Sequence, residues 1–186
     1  MKFINMKPIV YLLMLAAGTL LMPGCASSGK AKAGLSEDDK RAQLEALRSD
    51  FNSYKTRTFN RFLKLTAVEA EKFWPLYRNY ETELAGVGDR KLALVREFLA
   101  QHRAGTLDEN FSREMADRWL ANAQERLDLW KKYHQQISAA LSPMRAAQFL
   151  QVENQMAIFV DLNIASEMPM VGSPVETNPG QGPHTR

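Results

Sequence analysis

Between Ser36 and Ala165 the apolar positions recur every three or four residues, and nowhere alternate in the manner of a strand. Leu44, Leu47, Phe51, Tyr54 and Thr58 lie on one face of a first helix. Ser36 stands before it as a cap, with acidic residues at the positive end of the helix dipole. A second helix opens at Thr66, where Glu69 three residues on completes a capping box. Its stripe is Phe73, Tyr77, Tyr80, Leu84 and Val87, continued by Leu92, Val95 and Leu99, and Gly105 supplies the stop. At about 39 residues it is roughly 58 Å long, with a kink expected at Pro75.

Asp108 caps a third helix whose face carries Phe111, Met115, Trp119, Ala123, Leu127, Trp130, Ile137 and Leu141. Ser142-Pro143 gives cap and first-turn proline for a fourth. That helix is apolar nearly all round from Met156 to Val160, which predicts burial on more than one side. The fold class is therefore all-α: four helices, two of them long, forming a bent, extended helical hairpin. Helices of this length in so small a domain do not all face a private core, so a second copy is expected to complete a dimeric cradle.

The flanks read differently. Lys2 and Lys7 precede a 14-residue apolar stretch, Ile9 to Met22. That is short of the roughly 20 residues a membrane span needs, so residues 1–24 read as an export signal. The sole cysteine, Cys25, follows at once in Leu21-Met22-Pro23-Gly24-Cys25-Ala26-Ser27. The placement resembles a bacterial lipobox, with Cys25 as the lipidated first mature residue. Ordinary cleavage near Ala26 is the alternative, and Pro23 departs from the lipobox pattern. Residues 25–35 form a flexible tether, 36–165 the helical domain, and 166–186 a Pro/Gly-rich, mostly disordered tail from which Met168 to Val171 can still dock. The resemblance implies a periplasmic lipoprotein held at the outer membrane through its lipid anchor only.

Charge removes one class of function. The chain has 24 Lys+Arg against 21 Asp+Glu, and without Lys2 and Lys7 the excess is one positive charge, which gives no support to nucleic-acid binding. A single cysteine excludes an intramolecular disulfide and a cysteine-based zinc site. Helical metal sites need ligands three or four residues apart. His134 has Trp130, Lys131, Ile137 and Ser138 at those offsets, His102 has Phe98, Leu99, Gly105 and Thr106, and His184 lies in the tail. No metal, cofactor or catalytic residue is expected, and the chain carries no nucleophile or phosphate-loop motif. Carboxylates such as Glu81 and Glu83 read as a solvated face.

Aromatic residues are the unusual resource. The mature chain's 15 Phe, Trp and Tyr all fall between Phe51 and Phe159. Most are expected in the core, yet long thin helices have few interior positions. Phe73, Tyr77, Tyr80, Met115, Trp119 and Trp130 are therefore candidates for a partly apolar concave surface that binds client proteins. Met115 and Met156 would add adaptability, and Lys55, Arg57, Arg61 and Lys64 would steer acidic client segments.

Two short phrases carry a family resemblance. Leu65-Thr66-Ala67-Val68-Glu69 before Phe73, and Leu141-Ser142-Pro143-Met144-Arg145 before Phe149, resemble two copies of the LTxxQ motif. The chain from Leu44 to Val171 is similar to the periplasmic LTxxQ family, which includes the Spy and CpxP envelope-stress proteins. Glu69 and Arg145 stand where the motif has Gln. Glu69 keeps the capping role, whereas Arg145 at a helix start opposes the dipole. The resemblance implies a homodimeric, ATP-independent chaperone that holds unfolded or envelope proteins, without catalytic residues. It also implies an alternative, a regulatory or metal-sensing adaptor of an envelope stress response.

Overall fold

The computed structural model describes residues 36–174. Residues 1–35, where an export signal, a lipidated Cys25 and a tether are expected, and residues 175–186 lie outside the described residues. The chain forms four helices: α1 (Glu37–Leu63), α2 (Ala67–Ala104), α3 (Glu109–Ala140) and α4 (Pro143–Glu167). The class is all-α, and the two long members, α2 and α3, have 38 and 32 residues.

Each boundary has a local cause. The Ser36 hydroxyl accepts the Asp39 N–H while the Asp39 carboxylate accepts the Ser36 N–H, and Thr66 and Glu69 repeat this box at the start of α2. Asp108 accepts from the Phe111 N–H and Ser142 from the Arg145 N–H, with Pro143 in the first turn of α4. Gly105, at φ 66°, closes α2 in the left-handed conformation that suits glycine. Lys64 takes the same conformation after α1 at φ 47°, where its Cβ is strained. α2 runs unbroken through Pro75, which removes one N–H from the ladder without ending the helix.

Contacts between helices fix their directions. Glu97 meets Arg118, Arg90 meets Glu125 and Glu83 meets Lys132, so α2 and α3 are antiparallel. Lys55 meets Glu153 and Phe59 meets Phe149, so α1 and α4 are also antiparallel. α4 runs alongside α2 in the same direction, from Arg145 at Glu69 to Asp161 at Lys91. The result is an up-down-up-down arrangement in which backbone packing is closest between α2 and α3, then α3 and α4, while α1 leans on α4.

The interior is divided. One core gathers Phe59, Leu63, Phe73, Tyr77, Tyr80, Tyr133, Ile137 and Phe149 near the α1–α2 corner. A second, smaller core of Leu94, Val95, Phe98, Leu99 and Met115 sits toward the α2–α3 turn. α1 is the reason for the division. Leu47 and Phe51 are its half-buried apolar residues on this side, while Asp38, Asp39, Arg41, Gln43 and Glu45 before them are exposed, so α1 does not close fully over α2 and α4.

One expectation changes, and the docking allowed for the start of the tail is seen in part. α4 is buried on one side only: Met156 is buried, but Ile158 and Leu162 are 57% and 66% exposed. The beginning of the tail is docked. α4 continues past Ala165 to Glu167, Met168 packs on the second core, and Ser173 Oγ lies 3.1 Å from His102 Nε2. Met170 and Val171 face solvent.

Candidate functional site

Between the two cores lies a cleft of about 340 Å³, bounded by α1, α2 and α4 with α3 behind it. Its apolar lining includes Leu47 and Phe51 from α1, Leu84 and Leu92 from α2, and Phe159 and Ile164 from α4. The α2 and α4 residues belong to helical stripes that α1 does not fully cover, and Leu47 and Phe51 form the facing wall on α1. Along α2 the lining runs from Tyr80 to Val95, roughly 22 Å at 1.5 Å per residue.

The end facing the first core is charged. Lys55 Nζ lies 3.1 Å from Glu153 Oε1 and 3.6 Å from Glu81 Oε1. Lys55 and Glu153 are each only 3% exposed. The Tyr80 hydroxyl donates to Glu153 at 2.7 Å, the Tyr77 hydroxyl donates at 3.3 Å, and Trp130 Nε1 donates to the Tyr80 oxygen at 2.9 Å. Burial, and then the negative charge of Glu153, push both tyrosine hydroxyls far above their ordinary pKa, so they stay protonated and donate. Lys55 also stands over the rings of Tyr77 and Tyr80, 5.5 and 5.7 Å from their centroids. Glu81 is less well served. Its Oε1 is buried and finds no hydrogen-bond partner.

Further along, Asp161 is shared by Lys91 and Arg126, the latter at 3.0 Å. Both cations lie over indoles, Lys91 at 5.1 Å from Trp119 and Arg126 at 5.6 Å from Trp130. Asn122 is buried behind this wall and its amide donates to the Val87 carbonyl at 2.9 Å, joining α3 to α2. Arg48 pairs with Asp89 across the rim and ties the thin end of α1 to α2.

Several residues expected at the surface are elsewhere. Phe73, Tyr77 and Tyr80 are at most 1% exposed and Met115 belongs to the second core, so these four side chains are packed inside, with Tyr80 also forming part of the cleft's inner wall. Phe73, Tyr77 and Tyr80 are covered because α1 and α4 close over this end of α2. Trp130 is half-buried and lines the cleft, while half-buried Trp119 supports Lys91. Lys55 is not a steering charge, since two carboxylates hold it inside, whereas Arg57, Arg61 and Lys64 are exposed. Glu81 belongs to the buried network instead of a solvated face. Glu83 is exposed, and Lys132 followed by the Tyr133 hydroxyl lowers its pKa.

The motif residues come together. Leu65, Thr66 and Glu69 surround the start of α2, and Leu141, Ser142 and Arg145 the start of α4. Arg145 Nε donates to Glu69 Oε1 at 2.8 Å and its Nη2 to Glu69 Oε2 at 3.0 Å, joining the two helix starts. Arg145 Nη1 also donates to the Leu63 carbonyl. The guanidinium therefore serves the negative end of α1 instead of opposing the positive end of α4.

Among the described residues no three His, Cys, Asp or Glu side chains are grouped to hold a metal ion, and no helix is long and apolar enough to cross a membrane. The cleft suits non-covalent capture of apolar groups, and its volume is within the range of small binding sites. Its charged network escapes a reading of helical periodicity because it needs tertiary contacts. One local signal exists: Lys55 lies between Phe51 and Phe59, and Glu153 between Phe149 and Met156, each a charge set into an apolar stripe. No family model, curated protein or solved structure matches the chain.

Proposed function

We propose that this protein is a non-enzymatic, ATP-independent binding protein of chaperone type, which holds apolar segments of unfolded or envelope proteins. The observation that carries this is the cleft of about 340 Å³ between two separate cores, where the stripes of α2 and α4 outrun the cover that α1 provides. Uncovered apolar area bounded by charged side chains is a surface suited to a partner. Exposed Ile158 and Leu162 on α4 add apolar area outside the cleft.

The resemblance of Leu65–Glu69 and Leu141–Arg145 to LTxxQ helix starts supports the same reading and with it a periplasmic setting, a lipid anchor at Cys25 and a homodimer. The test is aggregation of a chemically denatured client, followed by light scattering. Near-stoichiometric protein is expected to suppress scattering without nucleotide. Unchanged scattering across several unrelated clients would refute the proposal.

A further inference from the structure

We infer that the end of the bundle where α1 turns into α2 and α4 begins docks on an anionic lipid surface. Phe62, Val68 and Met144 enter that surface, and exposed cations beside them meet its head groups. The contact is apart from the cleft and does not rest on what the cleft holds.

The apolar part is built around one guanidinium. Arg145, in the first turn of α4, donates to the Leu63 carbonyl at the end of α1 and to the Glu69 carboxylate in the first turn of α2. Three helix ends therefore meet there. The residue just before each of the three, Phe62, Val68 and Met144, is apolar and turned to solvent, 54%, 64% and 69% exposed. Single exposed apolar residues are ordinary, but three around one junction form a group.

Charge gives the group its partner. Residues 57–72 and 141–148 carry five cations against two carboxylates, Glu69 and Glu71. Arg145 and Glu69 neutralise each other, which leaves Arg57, Arg61, Lys64 and Lys72 against Glu71 alone. All four cations are exposed, and among the described residues none is held in an ion pair. They lie beside the apolar group. The Arg61 guanidinium is 5.9 Å from the centre of the Phe62 ring, and Lys72 follows Val68 by one turn on the same face of α2.

A lipid surface fits both features. Apolar side chains on three separate helix ends act as small wedges, which a fluid layer admits without a matching shape while its anionic head groups meet the cations. An acidic protein segment would meet the cations equally well. It would also need a continuous apolar face, which three residues on different helices do not provide. The corner lies about 40 Å along α1 from Ser36, so the contact is separate from an anchor at Cys25.

The test is co-sedimentation of the full chain, carrying Cys25→Ser so that no acyl chain contributes, with vesicles of phosphatidylcholine alone or mixed with phosphatidylglycerol. Residues 1–35 are otherwise the same in every variant, so differences between variants report the corner. Arg61→Gln with Lys64→Gln is expected to weaken binding to the anionic vesicles about thirtyfold. Phe62→Ser with Met144→Ser is expected to weaken it about tenfold. Arg96→Gln with Arg113→Gln makes an equal change of charge at exposed positions toward the α2–α3 turn, and should leave binding within about twofold. All six positions are exposed, and thermal melts check that each variant stays folded. Equal losses in the two charge variants would reduce the effect to net charge and overturn the inference, as would unchanged binding in either corner variant. Corner variants that lose binding to a soluble Glu/Leu peptide but not to vesicles would overturn the lipid assignment in favour of an acidic protein segment.

Discussion

Arg145 lays its guanidinium across the Glu69 carboxylate with two donated hydrogen bonds, at 2.8 and 3.0 Å, between residues 76 positions apart. These are the two places where the LTxxQ-like phrases depart from Gln, and the departures answer each other. Glu69 meanwhile accepts the Thr66 N–H at 2.8 Å, so one carboxylate caps α2 and fastens α4 to it. Replacing Arg145 by Gln removes the fork and the Leu63 cap. The expected fall in Tm is roughly 2–4 °C.

The same pair predicts a pH dependence. Hydrogen bonds from Arg145, and then from Thr66, hold the Glu69 carboxyl at about 2 instead of its ordinary 4.5. A depressed folded-state value means stability that is complete above 4.5 and lost as pH falls toward 2. The Tm gap between the unaltered protein and Arg145→Gln should thus stay constant down to about pH 5 and close below it. A gap that widens on acidification would contradict the pairing.

Lys55 is the keystone of the buried network. Lys55→Met leaves the Glu153 carboxylate, 3% exposed, without its cation. Loss of about 3–5 kcal/mol in urea unfolding is expected. The double change Lys55→Met with Glu153→Gln removes the orphaned charge and should recover part of that loss. Additive losses would show that the two side chains are not coupled.

Lys64 holds φ 47° at the α1–α2 corner, a conformation that costs a side-chain-bearing residue about 1 kcal/mol. Lys64→Gly relieves it, and because the lysine is exposed, little else is lost. A net stability gain of about 0.5 kcal/mol is expected in the same unfolding assay, because glycine's added freedom in the unfolded chain offsets part of the relief.

The helices were legible in the sequence because their signals are local. Ser36, Thr66, Asp108 and Ser142 all cap where the pattern places them, and Gly105 ends α2. What Arg145 does was not legible, because its position in the first turn of α4 says nothing about a carboxylate and a carbonyl on other helices. Phe73, Tyr77 and Tyr80 illustrate the opposite limit. Periodicity puts them on one stripe, but which part of a stripe is covered depends on where another helix loses its own apolar face. The course of α1 decides that, and it leaves the cleft beside Leu84 and Leu92, with Tyr80 at its inner end and Phe73 and Tyr77 covered.

The cleft itself is open to a direct measurement. A photo-crosslinking amino acid is placed at Leu92, inside it, or at Leu120, which is 67% exposed on α3 and outside the lining, and each protein is irradiated with a denatured client. Crosslinks from position 92 that far exceed those from position 120, and that fall when Val160→Asp brings a charge into the cleft, are the predicted result. Equal yields at the two positions, or a yield at 92 indifferent to Val160→Asp, would contradict capture between the two cores.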